Sequence, residues 1–215
     1  MTVFLWQHDL TYVSAPKVAC TSLKHMFFEI ENGFRFRMFH ANGALQHIHN
    51  AAYPGNDFDA LPHARIAGHE RLTVVRDPVR RFLSCYGNRV CHHRDLAPER
   101  IRPKFRERGA TPDPALAEFI DKLELYREAS GLIRRHTLPL VEILGRDPGY
   151  YARIHSMDTL EDLRRRVVAV TGRDVALEHM QRRGPKISPD DLSPAQRRRI
   201  EAFYAEDYAV YGEHF

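Results

Sequence analysis

What this sequence lacks narrows its class first. No apolar run approaches the roughly 18 residues that a membrane span requires. The opening MTVFLWQHDLTY has neither the basic region nor the longer apolar core of a secretory leader, so the cytoplasm is the expected location. Cysteine is sparse: Cys20, Cys85 and Cys91 form no even set and no Cys-x-x-Cys pair, which points to free thiols in a reducing compartment. There is no internal repeat, no heptad array and no low-complexity tract. Neither sign of charge dominates, with 32 Lys and Arg against 28 Asp and Glu for a formal +4. The basic residues are interspersed with acids and no aromatic-basic stacking motif is present, so a nucleic-acid surface is not expected. An anionic small ligand fits the balance, and 13 histidines add charge at mildly acidic pH.

Hydrophobic residues at 43% and charged residues at 28% are ordinary values for a folded soluble chain. At 215 residues one substantial core is expected, so residues 1–215 read as one domain, with room for a small helical appendage. Val3 to Trp6 and Thr11 to Ser14 are short β-type runs, either a hairpin or one strand with its lead-in. Leu23, Met26, Phe27 and Ile30 recur at helical spacing, predicting a helix from about Thr21 that ends before Gly33. Residues 32–71 read mainly as loops with one short helix or strand, and are rich in histidine. LTVV, Leu72 to Val75, is a strand, and Pro78 opens a helix running to about Val90. Residues 94–114 are polar, basic and proline-punctuated, the pattern of an exposed excursion, with helices to follow at 115–130, 158–171 and 194–208. Strands alternating with helices predict an α/β fold of three layers around a central parallel sheet.

Two turns carry the chemistry. SAPKVACTSLK, Ser14 to Lys24, sits where a phosphate loop would, yet it contains no glycine. Lys17, the hydroxyls of Thr21 and Ser22, and the N–H groups of a helix start converge there, which suits a phosphate or sulfate. Ala19 and Cys20 are small enough for close backbone approach, and Lys24 one turn later reinforces the positive potential. The plain alternative is that Thr21 caps the helix and Lys17 is solvated.

The second turn, VVRDPVRRFLSCY, puts Arg76 at the end of a strand and Ser84 two helical turns onward. An Arg fork suits a phosphate dianion, while Asp77 either caps the helix or orients Arg76. Arg-Asp-Pro is also a common strand-to-helix connection with no ligand. Both turns follow β-type runs, and in an α/β sheet the ligand crevice forms at the carboxyl ends of neighbouring parallel strands.

PKVACTSLK resembles the 5′-phosphosulfate loop of sulfotransferases, and VVRDPVRRFLSCY resembles their 3′-phosphate segment; both are especially similar to sulfotransferase family 2, the carbohydrate sulfotransferases that include heparan 2-O and chondroitin enzymes. The motifs stand in the family's order, and weaker similarity runs through RRHTLPL to IEAFYAEDYAVYG near the end. The resemblance implies a fold related to P-loop kinases and the donor 3′-phosphoadenosine 5′-phosphosulfate (PAPS), with 3′-phosphoadenosine 5′-phosphate (PAP) as product. It assigns Lys17, Val18, Ala19, Cys20, Thr21, Ser22 and Leu23 to the 5′-phosphosulfate, and Arg76 with Ser84 to the 3′-phosphate. Sulfuryl transfer needs in-line placement, charge stabilisation on the leaving phosphate and removal of the acceptor's proton, and does not inherently need a metal. Lys17 is the candidate for the leaving phosphate. The implied acceptor is a carbohydrate hydroxyl or amine, and the chain looks like a soluble bacterial-type member.

For the base, LQHIHNAAY resembles the His-x-His segment of heparan 2-O sulfotransferases, which ranks His49 first and His47 second. If the segment is extended, its period of two puts both imidazoles on one face. His63, His69 and His136 are further candidates, and each of the histidines has a purely structural reading beside the catalytic one. Cys91-His92-His93 lacks further ligands at a useful spacing, so no metal is expected. QRRGPK, Gln181 to Lys186, departs from the family's pattern, and the basic stretch from Arg100 to Gly109 reads as solvated surface. Two other functions compete: a P-loop-like nucleotide kinase, against which the Gly-x-x-x-x-Gly-Lys loop is absent, and a non-catalytic anion- or glycan-binding module.

Overall fold

The two N-terminal β-type runs pair as a hairpin. In a computed structural model, which describes residues 2–55, 58–178 and 184–215, β1 (Thr2–Leu5) and β2 (Leu10–Val13) run antiparallel with Leu5 opposite Leu10. Asp9 closes the connection at φ 45°, a left-handed conformation that Asp tolerates better than most residues. Then comes α1 (Cys20–Asn32), which buries Leu23, Met26, Phe27 and Ile30 as the spacing predicts. It stops at Gly33, whose φ of 77° lets its N–H bond the carbonyl of Glu29. A small hairpin, β3 (Phe39–Ala41) and β4 (Ala44–Gln46), leads into the single turn of α2 (Ile48–Ala51). After β5 (Glu70–Val74) the chain enters α3 (Pro78–Cys85).

Five short helices follow: α4 (Pro103–Glu107), α5 (Leu116–Asp121), α6 (Leu123–Ala129), α7 (Gly131–Thr137) and α8 (Leu140–Leu144). The chain continues through β6 (Arg153–His155), α9 (Leu160–Thr171), α10 (Pro194–Phe203) and α11 (Ala205–Tyr211). These elements form two compact units. One comprises Met1–Arg76, Leu140–Arg182 and Val210–Phe215; the other comprises Asp77–Pro139 and Arg183–Ala209.

The first unit holds the sheet, in the order β1-β2-β5-β6. β2, β5 and β6 are parallel, and β1 is antiparallel at the edge because a tight connection can only return the chain antiparallel. The predicted central parallel sheet is thus a mixed sheet with a parallel interior. The continuous apolar character of Leu72 to Val75 fits its central position, where Leu72 and Val74 are fully buried.

The second unit is helical, with Phe82, Phe119, Tyr126, Ile133 and Tyr204 in its core. Arg81, fully buried, pairs with Asp207 at 3.6 Å, donates to the carbonyl of Leu138 at 2.5 Å and lies over the Tyr204 ring. The helix from Pro78 runs past Val90 as expected, with residues Tyr86–His92 widened into a π-helix. One expectation is corrected here. Residues 94–114 are not a solvated excursion: Leu96, Ala97, Ile101, Phe105 and Ala110 are buried, so the charged residues between them form the outer face of packed chain. That apolar series is spaced too irregularly to stand out from its arginines.

Candidate functional site

The turn after β2 contains no glycine, yet two of its residues take positive φ. Lys17 has φ 68° and Ala19 has φ 58° and ψ 19°, both left-handed. Each costs about 1–2 kcal/mol in a residue with a Cβ. The buried side chains of Ala15 and Val18, alternating with these positions, hold the turn in place. Successive N–H groups in left- and right-handed conformations make an anion-binding concavity.

Helix α1 begins at Cys20 with Ala19 as its cap residue, and no side chain caps it. Thr21 is therefore not the cap. The first-turn N–H groups carry the positive end of a 13-residue helix. The Leu23 N–H bonds the carbonyl of Ala19, closing the first turn of the helix. Within the fold, Tyr12 and Ser14 are buried, and burial pushes the Tyr12 hydroxyl upward in pKa against the opposing effect of Ser14.

The second turn meets the first. Arg76, half-buried just past β5, donates from Nη1 to the carbonyl oxygen of Lys17 at 3.4 Å. Parallel β2 and β5 are neighbours, so the turns leaving their carboxyl ends are brought side by side. Asp77 takes the capping role: it accepts from the Arg80 N–H at 2.9 Å and from the Tyr208 hydroxyl at 2.9 Å. Ser84 is half-exposed on α3, in the second unit.

His49 reaches the first turn. Its Nε2 lies 2.9 Å from Thr21 Oγ1 and its Nδ1 lies 3.1 Å from Lys24 Nζ. Lys24 is fully buried and also donates to the Tyr53 carbonyl at 2.9 Å; the Tyr53 hydroxyl in turn donates to Glu31. The His-x-His segment is not extended. His47 is the cap residue of α2, accepting the His49 N–H on its Nδ1 at 3.2 Å, and the two ring centroids are 5.7 Å apart. An Nδ1 that accepts a backbone N–H leaves the proton of the neutral ring on Nε2.

The other histidines are engaged elsewhere. His63 bonds the Tyr150 hydroxyl through Nδ1 and the Phe58 carbonyl through Nε2, both at 3.0 Å. His69 bonds Thr11 through Nδ1 at 2.9 Å, with Asp9 3.7 Å from its Nε2. His136, in the second unit, donates to the Leu132 carbonyl. His155 escaped the sequence reading because its strand is three residues long. It ends β6 beside Val75, is 8% exposed, and its buried Nε2 has no partner among the described residues. Burial, with Arg153 assisting, lowers its pKa.

His92 and His93 stack edge-on beside exposed Cys91, and among the described residues no group of three or more His, Cys, Asp or Glu is placed to hold a metal. Of QRRGPK, Gln181 to Arg183 lie outside the described residues. Gly184, at φ 96°, packs on the Gly87 carbonyl so closely that a Cβ would overlap it. No described helix is long and apolar enough to cross a membrane.

A family model described as the sulfotransferase family matches residues 2–212, essentially the whole chain. No curated protein and no solved structure gives a match.

Proposed function

We propose, for a chain that belongs to the sulfotransferase family, that it moves the sulfuryl group of PAPS to a hydroxyl or amine of a carbohydrate acceptor. Its P-loop-like turn takes the 5′-phosphosulfate on the backbone of residues 17–22 and the start of α1, and Arg76 takes the 3′-phosphate. A bond forms between the acceptor atom and sulfur while the bond from sulfur to the bridging phosphate oxygen breaks. Lys17 neutralises the electron pair left on the phosphate, and the acceptor's proton passes to His49, with His47 beside it. Members of the family use this donor in general, and a metal is not part of the reading.

The observation that carries the reading is the joining of the two basic turns at Arg76 and the Lys17 carbonyl, at the carboxyl ends of adjacent parallel strands and beside an uncapped helix start. Anion-binding N–H groups and a guanidinium thereby serve one ligand with two separated anionic groups. The test is transfer of radioactive sulfate from labelled PAPS to a panel of desulfated polysaccharides and simpler glycosides. Labelled product with release of PAP is expected; no transfer to any acceptor, together with no PAP binding, overturns the proposal.

A further inference from the structure

Lys24 and His49 are joined in a chain of hydrogen bonds that has a direction. Lys24 Nζ is 3.1 Å from Nδ1, and Thr21 Oγ1 is 2.9 Å from Nε2, so both ring nitrogens are engaged. An ammonium has three donors and no acceptor. With Lys24 charged, Nδ1 must present its lone pair, Nε2 must carry the hydrogen, and Thr21 Oγ1 must accept it. The Thr21 hydroxyl is then free to turn its own hydrogen toward an anion on the turn, but the ring has no lone pair left for an acceptor's proton. Removing one proton from the pair reverses the chain: Nδ1–H donates to the neutral amine, and Nε2 becomes an acceptor.

We propose that Lys24 is a positioning residue that governs His49: the two hold one exchangeable proton in common, and Nε2 is a base only in the state from which that proton has gone. This deepens the reading of His49 as proton acceptor and rests on it. Lys24 is 0% exposed, so its charge state answers to its neighbours and not to bulk water. Among the groups that face the pair are Thr21 and, through Tyr53, Glu31 from α1, and His47 at the cap of α2. Two sites this close titrate as a unit, with apparent values that belong to the pair.

The consequence is a split between two titrations. A charged Lys24 3.1 Å from the ring disfavours imidazolium, so on this proposal the ring protonates at lower pH than it would without the lysine. The activity-controlling loss of a proton, which turns the chain around, lies at higher pH. Without the lysine, both collapse onto one imidazole titration.

The test is long-range proton–nitrogen NMR of the full chain with ring-labelled histidine, run across pH beside the pH–rate profile, for the wild type and Lys24→Met. The wild type should show His49 as the Nε2–H tautomer at neutral pH. In Lys24→Met the ring titration should rise and the acid limb of activity should fall, each by about one pH unit or more, until they coincide. A wild-type Nδ1–H tautomer, or a ring titration identical in the two proteins, overturns the proposal. Should Lys24→Met not fold, the wild-type tautomer decides by itself. His49→Asn separates the two levels: undiminished transfer sinks His49 as the base, whereas the tautomer and its dependence on Lys24 are read without any turnover.

Discussion

Arg76 Nη1 donates to the carbonyl oxygen of Lys17 at 3.4 Å, joining turns 59 residues apart. The guanidinium thereby supports the turn whose lysine is proposed to neutralise the leaving phosphate. Arg76→Ala is expected to weaken PAP binding about ten- to hundredfold, the value of a lost charged hydrogen bond, as read by calorimetry. Arg76→Lys should recover little of it, since an ammonium lacks the planar fork that grips a phosphate bidentately. Unchanged affinity in Arg76→Ala would remove the residue from the site.

Lys17→Ala should act on turnover. On the proposed mechanism its ammonium stabilises charge that develops as the sulfur–oxygen bond breaks, and removing one preorganised donor of this kind costs about 10²- to 10³-fold in rate. The expected pattern is a large fall in kcat with a smaller change in PAP affinity, because the backbone groups of the turn remain. An effect confined to KM would place Lys17 in binding only.

Ala19 is strained at φ 58°, and glycine adopts that conformation without a Cβ clash. Ala19→Gly should raise stability by about 1 kcal/mol, and Ala19→Val should lower it by more than that, both measurable by denaturant unfolding. A destabilised Ala19→Gly would show that the methyl contributes packing exceeding the strain.

How far the sequence reached is best seen along α1 and β5. The apolar spacing of Leu23, Met26, Phe27 and Ile30 located the helix, Gly33 its end, and Pro78 the start of α3, because each depends on local chemistry. Both basic turns were legible for the same reason. The partnership of Lys24 with His49 was not: 25 residues separate them, and only the fold of residues 33–48 decides whether they meet. The short α2 defeated the extended reading of His47 and His49, since its single turn is too brief for periodicity and its start depends on His47 and Asn50 bonding the backbone. β6 was invisible at three residues; its placement depends on pairing with β5.

Acid sensitivity follows from His155 and His25. Burial is the main cause that lowers each pKa from 6.5 in the folded protein. The unfolded chain therefore takes up protons as pH falls through about 6.5 while the folded chain does not, so stability present above that pH declines toward the lower folded values. Melting temperature should drop between pH 7.5 and 5, and His155→Gln should flatten part of that slope, with His25 supplying another part. A slope unaltered in His155→Gln would show that its imidazole titrates alike in both states.

The most direct test of the central claim, that the joined turns form the site of a PAPS-dependent sulfotransferase, is calorimetric titration of the protein with PAP in the presence of a metal chelator. Saturable one-to-one binding that raises the melting temperature, and that Lys17→Ala,Arg76→Ala abolishes, is the predicted result. Absence of binding by the folded wild-type protein, or equal binding by the double variant, would contradict it.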